Sequence, residues 1–237
     1  MSDQIKYQRI LVKLSGEALA GINGHGIDFA NAETICRNIK TCLELGVETA
    51  IVIGAGNFWR GRNGNNMDHT RADHMGMLAT MMNCIALQDV FESIGVEAHV
   101  LSAVTMDRFA ETFNRDVAMK YLRSGKVVIF GCGTGNPFFT TDTAAVLRAI
   151  EIDADVALLA KNVDGVYTAD PKKDPDAKKF ESLSYMEVLD RQLTVIDTAA
   201  AALCKDNNMN ALLFDLGDGG NIVRAVRGEA IGTIITK

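Results

Sequence analysis

The run Gly131-Cys132-Gly133-Thr134-Gly135-Asn136-Pro137-Phe138-Phe139-Thr140-Thr141-Asp142 sits between an apolar stretch, Val127-Val128-Ile129-Phe130, and a helix-like pattern from Thr143 to Ile150. A parallel strand handing over to a helix is where open α/β sheets bind ligands. Free backbone N–H groups at a helix start favour an anion. The hydroxyls of Thr134, Thr140 and Thr141 and the amide of Asn136 add side-chain donors, and Phe138 and Phe139 can line a flat wall. The chemistry expected is recognition of a phosphorylated, ring-bearing small molecule.

Three more polar clusters follow apolar strand-like runs. In Lys13-Leu14-Ser15-Gly16-Glu17, a lysine stands inside an apolar strand, where it costs free energy unless it has work or a partner. It reads equally as a cation reaching a transferring phosphate or as a strand-edge lysine snorkelling to water. Gly54-Ala55-Gly56-Asn57, with Trp59, Arg60 and Arg62 close behind, combines small residues that let backbone approach a phosphate with guanidinium groups that suit its oxygens. The last cluster, Lys161-Asn162-Val163-Asp164-Gly165-Val166-Tyr167-Thr168-Ala169-Asp170-Pro171, carries turn-forming dipeptides and, in Tyr167, an aromatic face for a base; an ordinary hairpin and turn is the alternative. The chain contains neither the Gly-x-x-x-x-Gly-Lys-Ser/Thr phosphate loop nor the Gly-x-Gly-x-x-Gly dinucleotide spacing. A Rossmann dehydrogenase is disfavoured on the same ground.

The elements that must carry these clusters alternate. Strands are expected at Arg9–Leu14, Val47–Ile53, Ala98–Leu101, Val127–Phe130, Asp155–Ala160, Ala211–Phe214 and Ile231–Thr236. Helical periodicity runs through Phe29–Leu43 with Gly46 as a stop, Met75–Val90 ending near Gly95, Asp116–Leu122, Thr143–Ile150, Leu193–Asp206 and Ile222–Arg227. Such alternation implies right-handed βαβ units: an α/β fold, a three-layer αβα sandwich on a mostly parallel central sheet. One fold with two lobes is expected, dividing near Ile150. Residues 168–182 read as a solvated loop, in a position that also suits a lid or nucleotide-binding loop.

Composition bounds the remaining classes. The 237 residues are 48% hydrophobic and 23% charged, the profile of a soluble globular protein. The formal net charge of −6 does not favour nucleic acid or an anionic membrane, so an anionic substrate needs local cations. No apolar run approaches the roughly 20 residues of a membrane span, and the N-terminus lacks the pattern of a signal peptide. The five cysteines (Cys36, Cys42, Cys84, Cys132, Cys204) have no metal or disulfide spacing and read as reduced thiols of a cytoplasmic protein, with Cys132 partly exposed. His69 and His74 do not suggest a metal site. Met75, Met77, Met81 and Met82 read mostly as core filler on a long helix. Glu151, Asp153 and Asp155 read as a solvated turn. Asp73, near the start of that long helix, is either an N-terminal charge favoured by the helix dipole or an acceptor for a ligand hydroxyl.

Taken together, Lys13–Glu17, Gly54–Asn57 with Arg60-Gly61, the run Asp73-His74-Met75-Gly76-Met77-Leu78-Ala79-Thr80, Gly133–Asp142 and Val163–Pro171 resemble the bacterial uridylate (UMP) kinases of the amino acid kinase family. The stretches stand in the family's order and span nearly the whole chain. The resemblance implies transfer of the ATP γ-phosphoryl group to UMP, giving UDP and ADP, in de novo pyrimidine nucleotide (CTP) biosynthesis. It implies catalytic roles for Lys13 and Asp142. It implies ATP contacts from Lys13, Leu14, Ser15, Gly16, Gly56, Arg60, Asn162, Tyr167 and Asp170. UMP contacts are implied for Ala55, Asp73, Thr134, Gly135, Asn136, Pro137, Phe138, Phe139, Thr140 and Thr141. Ala55 departs from the glycine often found there, and its methyl narrows the backbone's conformations. Residues Gly21, Ile22, Asn23, Gly24, His25 and Gly26 match a region linked to GTP activation in some members. UTP inhibition, a homohexamer, and Mg²⁺ arriving with ATP and held mainly through phosphate oxygens are further implications. The lobe of residues 1–150 would hold UMP and that of 151–237 ATP. Two roles remain open for Asp142: organising Lys13 or the metal, or capping a helix. Asp197 is a weaker candidate for the organising role. The alternatives are another amino acid kinase acting on a carboxylate or a different phosphate, and a nucleotide-binding regulatory protein that has lost catalysis.

Overall fold

The computed structural model describes residues 5–59, 67–169, 171, 173–193, 195–217 and 219–237. In chain order the elements are β1 (Arg9–Leu14), α1 (Glu17–Ala20), a one-turn 3-10 helix (Gly21–Asn23), α2 (Phe29–Glu44), β2 (Glu48–Ile53), α3 (His69–Ser93), β3 (Ala98–Ser102), β4 (Glu111–Thr112), α4 (Arg115–Arg123), β5 (Val127–Gly131), α5 (Thr141–Glu151), β6 (Val156–Lys161), β7 (Ser182–Ser184), α6 (Tyr185–Asp190), α7 (Thr198–Asn207), β8 (Ala211–Asp215), α8 (Gly220–Val226) and β9 (Gly232–Thr236). The strands among the described residues form one sheet of order β4-β3-β5-β2-β1-β6-β8-β9-β7. Every pairing is parallel except β8 with β9. The expected sandwich with a mostly parallel sheet is therefore the fold.

Parallel strands buried on both faces need near-continuous apolar sequence, and the central strands have it. Ile10, Val12 and Leu14 face the layer of α2, α3 and α8, packing among Ile35, Ile39, Leu87, Phe91 and Ile222. Leu11 faces the opposite layer, among Met119, Ala145, Ala149, Ala200 and Cys204 of α4, α5 and α7. Side chains alternate along a strand, so Lys13 shares the Leu11 face. The two apolar layers thus lie on the two faces of the sheet.

Several boundaries differ from expectation. The helix expected over Leu193–Asp206 begins later, as α7, whose N-cap Asp197 accepts the Ala200 N–H at 2.8 Å; α6, opened by a Ser184–Glu187 capping box, is an additional element that ends before Leu193. The alanine-rich run Ala199–Ala202 has high helix propensity, and the cap residue sets where it begins. The long helix starts at His69, with Asp68 as N-cap accepting the Arg71 N–H, so Asp73 lies one turn inside rather than at the start. Met81 is buried, but Met75 and Met82 are 39% and 52% exposed, which corrects the reading of both as core filler. At the start of the segment expected as a solvated loop, 168–182, Tyr167 is bridged to Lys179 and the Thr168 N–H binds Lys178 O at 2.9 Å. The acidic turn is occupied structurally. Asp155 receives the Gln8 and Arg9 N–H groups at 2.6 and 2.9 Å, while Glu151 pairs with Arg148 and Asp153 with Arg115, each at 2.5 Å.

Candidate active site

The C-terminal ends of β1, β2, β5 and β6 bring the polar clusters together. In the β1–β6 register Lys13 stands opposite Leu159. Lys161, two residues on, projects from the same face as Leu159 because side chains alternate. Both lysines converge on Asp142, in the first turn of α5. Lys13 Nζ lies 3.0 Å from Asp142 Oδ1 and Lys161 Nζ donates to Oδ2 at 2.5 Å. Lys13 and Asp142 are 7% and 8% exposed, so a strand-edge lysine reaching water is excluded. Asp142 is not the helix cap: Thr140 is, its hydroxyl accepting the Asp142 and Thr143 N–H groups at 3.1 and 3.3 Å. The cap thereby occupies two of the amides expected to meet an anion directly.

The electrostatics of this trio follow from burial and mutual charge. Burial alone would raise the Asp142 carboxyl, but Lys13 and Lys161 outweigh it and hold it below the usual carboxylate range. Burial pushes the Lys13 ammonium down from its ordinary 10.5, with Asp142 opposing and Lys161 assisting. Two cations around one carboxylate leave one net positive charge in a chain of net charge −6. Asp142 Oδ1 has no hydrogen-bond partner among the described residues, although Lys13 sits beside it as an ion pair. Lys161 was quoted in the sequence cluster without a role. Its signal is a lysine ending an apolar strand, much as Lys13 stands one residue inside the end of its own.

The glycine loops close around the trio. Gly54 N–H bonds to Leu14 O at 2.9 Å, and a Cβ on Gly16 would lie 2.5 Å from both the Gly56 nitrogen and Asn57 Oδ1. Only glycine allows the two loops to approach this closely. Leu14 is itself core, so only its backbone is available to a ligand, and the Ser15 hydroxyl accepts the Ala18 N–H at 3.3 Å. Ala55 is not among the residues with positive φ, so its methyl imposes no strain. Asn162 is exposed and donates to Glu17 at 3.4 Å, joining the first and last clusters. Tyr167 donates to Asp164 at 2.9 Å. Arg60 and Asp170 lie outside the described residues.

The 132–141 loop is held in an unusual shape. Cys132 and Phe138 have φ of 62° and 71°, and Gly133 and Gly135 are also left-handed. Non-glycine residues in this region cost about 1–3 kcal/mol each and persist where the surroundings over-determine them. Here the surroundings come from α3. The Thr80 hydroxyl accepts the Cys132 N–H at 3.0 Å, and Asp73 Oδ2 accepts the Phe138 N–H at 2.7 Å. The Phe138 ring meets His69 edge-on, with centroids 4.8 Å apart. Cys132 is fully buried rather than partly exposed, and burial raises its thiol pKa.

Two cavities open beside the trio. A pocket of about 110 Å³ is lined by Ala55, Asp73, Thr134, Asn136, Phe139, Thr140 and Thr141, together with Gly76, Met77, Thr80, Cys132 and Gly133. It gathers seven of the ten residues expected to hold the acceptor nucleotide; Gly135, Pro137 and Phe138 are not on its wall. A larger cavity of about 820 Å³ has Lys13, Thr140, Thr141 and Asp142 on one side and Val188, Leu189, Leu193 and Ile196 on the other. None of those apolar residues is among the candidate site residues read from the sequence, where Leu193 marks only an expected helix start. Asp197 also lines this cavity, but its carboxylate is committed to the hydroxyls of Thr140 and Thr143, the latter at 3.0 Å, and to its own helix cap. This corrects the idea that it organises Lys13. Residues 21–25 are exposed, Ile22 fully so, and Gly26 exchanges hydrogen bonds with Asn57.

The profile of the Amino acid kinase family matches residues 8–215. The chain belongs to the amino acid kinase family. Among solved structures, this amino acid kinase is similar to UMP kinase from Bacillus anthracis, with 39% identity and a TM-score of 0.94 over 97% of this chain and 96% of that one. UMP kinase from Ureaplasma parvum matches at 36% identity and a TM-score of 0.92, covering 98% and 100% of the two chains. Uridylate kinase from Archaeoglobus fulgidus matches at 29% identity and 0.73, covering 95% and 99%.

Proposed function

We propose that this amino acid kinase transfers the γ-phosphoryl group of ATP to UMP, yielding UDP and ADP in pyrimidine nucleotide synthesis. The observation that carries the reading is the Lys13–Asp142–Lys161 trio, set where the two glycine loops meet a pocket lined by seven of the expected acceptor residues. The similarity to two UMP kinases over almost the entire chain supports the choice of acceptor.

The nucleophile is a UMP phosphate oxygen, already anionic, so the site needs no strong general base. A bond forms from that oxygen to the γ-phosphorus while the bond to the β–γ bridging oxygen breaks, and ADP carries the leaving charge. Positioning and charge neutralisation then dominate catalysis. The Lys13 and Lys161 ammonium groups face the transferring oxygens, Asp142 holds the two cations apart, and amides of the Gly16 and Gly56 loops add donors. Among the described residues no group of three or more His, Cys, Asp or Glu could hold a metal. Mg²⁺ arriving with ATP would be held mainly by phosphate oxygens and water and would neutralise charge on the donor phosphates. Asn162, Tyr167 and Asp170 serve the ATP nucleoside, and Asp73 with residues 134–141 serves UMP, dividing the lobes near Ile150. GTP activation through residues 21–26, UTP inhibition and a homohexamer complete the proposal. So does a cytoplasmic setting, for which five buried free cysteines argue.

The decisive test is UDP formation from ATP and UMP by the purified chain, beside CMP, dUMP, carbamate and amino-acid carboxylates as acceptors. Phosphorylation of a carboxylate in preference to UMP would overturn the acceptor assignment. Asp73→Asn is expected to raise KM for UMP roughly tenfold, about 1.4 kcal/mol, with KM for ATP little changed, because a charge-assisted acceptor is lost from the acceptor pocket alone. The reverse pattern would move Asp73 out of the UMP site. The lowered Lys13 pKa has a pH consequence. The protonated lysine is the working form, so kcat/KM, which reports the free enzyme, should decline on its alkaline side below the ordinary lysine value of 10.5. A profile flat through that value would contradict the role of the ammonium.

A further inference from the structure

Helix α3 grips two loops of the site, the 132–141 loop through Asp73 and Thr80 and the Gly54–Asn57 loop through Asn83, and the second grip involves residues to which no role has been given. Asn83 is 0% exposed and Asn57 3%. Asn57 Nδ2 donates to Asn83 Oδ1 and to Gly26 O, and Asn83 Nδ2 donates to Asn57 Oδ1 and to Gly54 O, all at 2.8 Å. All four amide hydrogens are used, and each side-chain oxygen accepts from the other residue. Asparagine is a poor helix former because its side chain competes for backbone groups, so its presence in the buried interior of α3 has a reason outside the helix. The pair fixes the carbonyl of Gly54 at the end of β2. Asn57 also pins Gly26, whose N–H binds Asn57 O at 3.0 Å. Its Oδ1 stands where a side chain on Gly16 would be. The lysine strand's loop, the Gly54–Asn57 loop and the 21–26 segment therefore meet at one amide pair anchored in α3.

We infer that Asn57 and Asn83 form a positioning device that sets the separation of the two glycine loops flanking Lys13. The inference rests on the phosphoryl-transfer reading of that site. Neither side chain needs to touch a nucleotide. Each acts through backbone: Asn83 through Gly54, and Asn57 through Gly26 and the space beside Gly16. The acceptor pocket depends on the pair only through Ala55, since its 132–141 loop is held by Thr80 and Asp73.

The test uses Asn83→Leu and Asn83→Asp in the full chain, with folding verified by circular dichroism. Leucine removes every side-chain hydrogen bond of residue 83. Turnover should fall roughly 10- to 100-fold, as a misplacement of about 1 Å does, while UMP binding measured by calorimetry without ATP changes by less than the turnover does, since Ala55 alone of the pocket's lining lies in the loop that Asn83 holds. Aspartate is the more telling variant. Ionised, it faces Gly54 O and Asn57 Oδ1 with acceptors only; protonated, it regains one donor. Burial favours that neutral form. Its turnover relative to the unsubstituted chain should rise as pH is lowered from about 9 to about 6, whereas the leucine ratio stays flat. A purely space-filling role would move neither ratio with pH. The chain's one tryptophan offers a readout free of activity. Trp59 lies two residues beyond Asn57, with its Nε1 donating to Ala72 O at 2.8 Å, and its quenching by acrylamide should increase in Asn83→Leu. Unchanged turnover and unchanged quenching in both variants would overturn the inference, as would equal, pH-independent losses. If the unsubstituted chain forms no UDP, the functional reading fails, and the quenching result alone decides the positioning role.

Discussion

Lys13→Met is expected to lower turnover roughly 10³-fold, about 4 kcal/mol of transition-state stabilisation, with UMP binding almost unchanged. Methionine fills nearly the same buried space without its charge. Asp142 keeps its 2.5 Å partner Lys161, so no orphaned carboxylate is created and the fold should hold. The loss should therefore appear in kcat and not in the thermal transition. Single-turnover assays separate the chemical step from release of products. Near-normal turnover in a folded Lys13→Met protein would remove Lys13 from the chemistry and leave Lys161 as the only cation of the trio.

Asp142→Asn should cost stability as well as activity. The amide keeps the shape and the place in the first turn of α5, but two ammonium groups then face each other across a neutral group. Removing one partner from a buried ion cluster costs about 3–5 kcal/mol, measurable as a lower midpoint in urea unfolding. The pH dependence identifies the cause. The Asp142 pKa is depressed in the folded state, so its stabilisation is present above the unfolded carboxylate value and fades as pH falls through the folded value. The difference between unsubstituted chain and variant should thus shrink in acid. The alkaline decline of kcat/KM should also move to lower pH in the variant, because the carboxylate that opposes Lys13 deprotonation is gone. A variant as stable as the unsubstituted chain at neutral pH, with the same alkaline limb, would contradict the cluster's proposed electrostatics.

Much of this arrangement was legible because apolar strands announce their own ends. Lys13, Gly54 and Gly131 each follow or close a buried run, and in a parallel sheet such ends share an edge. The parts that escaped reading lack a periodic signal. Strands β4 and β7, at the sheet's two edges, have two and three residues, too few to show alternation. Strand β9 is where the sequence places it, but its antiparallel direction depends on a close approach, since a Cβ on Gly232 would lie 2.1 Å from Leu213 O. The start of α7 was overrun because its alanines continue the helical pattern in both directions, and only Asp197 marks the boundary. Asn57 was quoted for its place in a glycine loop, but its partner in the middle of an apolar helix is visible only once that helix is folded against the sheet. The role of Asp142 was undecidable in one dimension: a carboxylate in a first turn serves the helix dipole or a distant lysine with the same residue type.

The place of β1 in the sheet has a consequence for how the chain comes into being. Its two neighbours are β2, soon made, and β6, paired through Ile10 and Val156. At typical synthesis rates of about 5–20 residues per second, one edge of β1 waits roughly 7–30 s for its partner. Through that interval the nascent chain carries an apolar parallel strand with one open side, the kind of edge that recruits wrong partners. Lys161 closes that strand's far neighbour, so the cation trio forms only after about two thirds of the polypeptide has emerged. Premature termination before β6 would release a half-sheet with its adhesive edge uncovered and without phosphoryl-transfer chemistry.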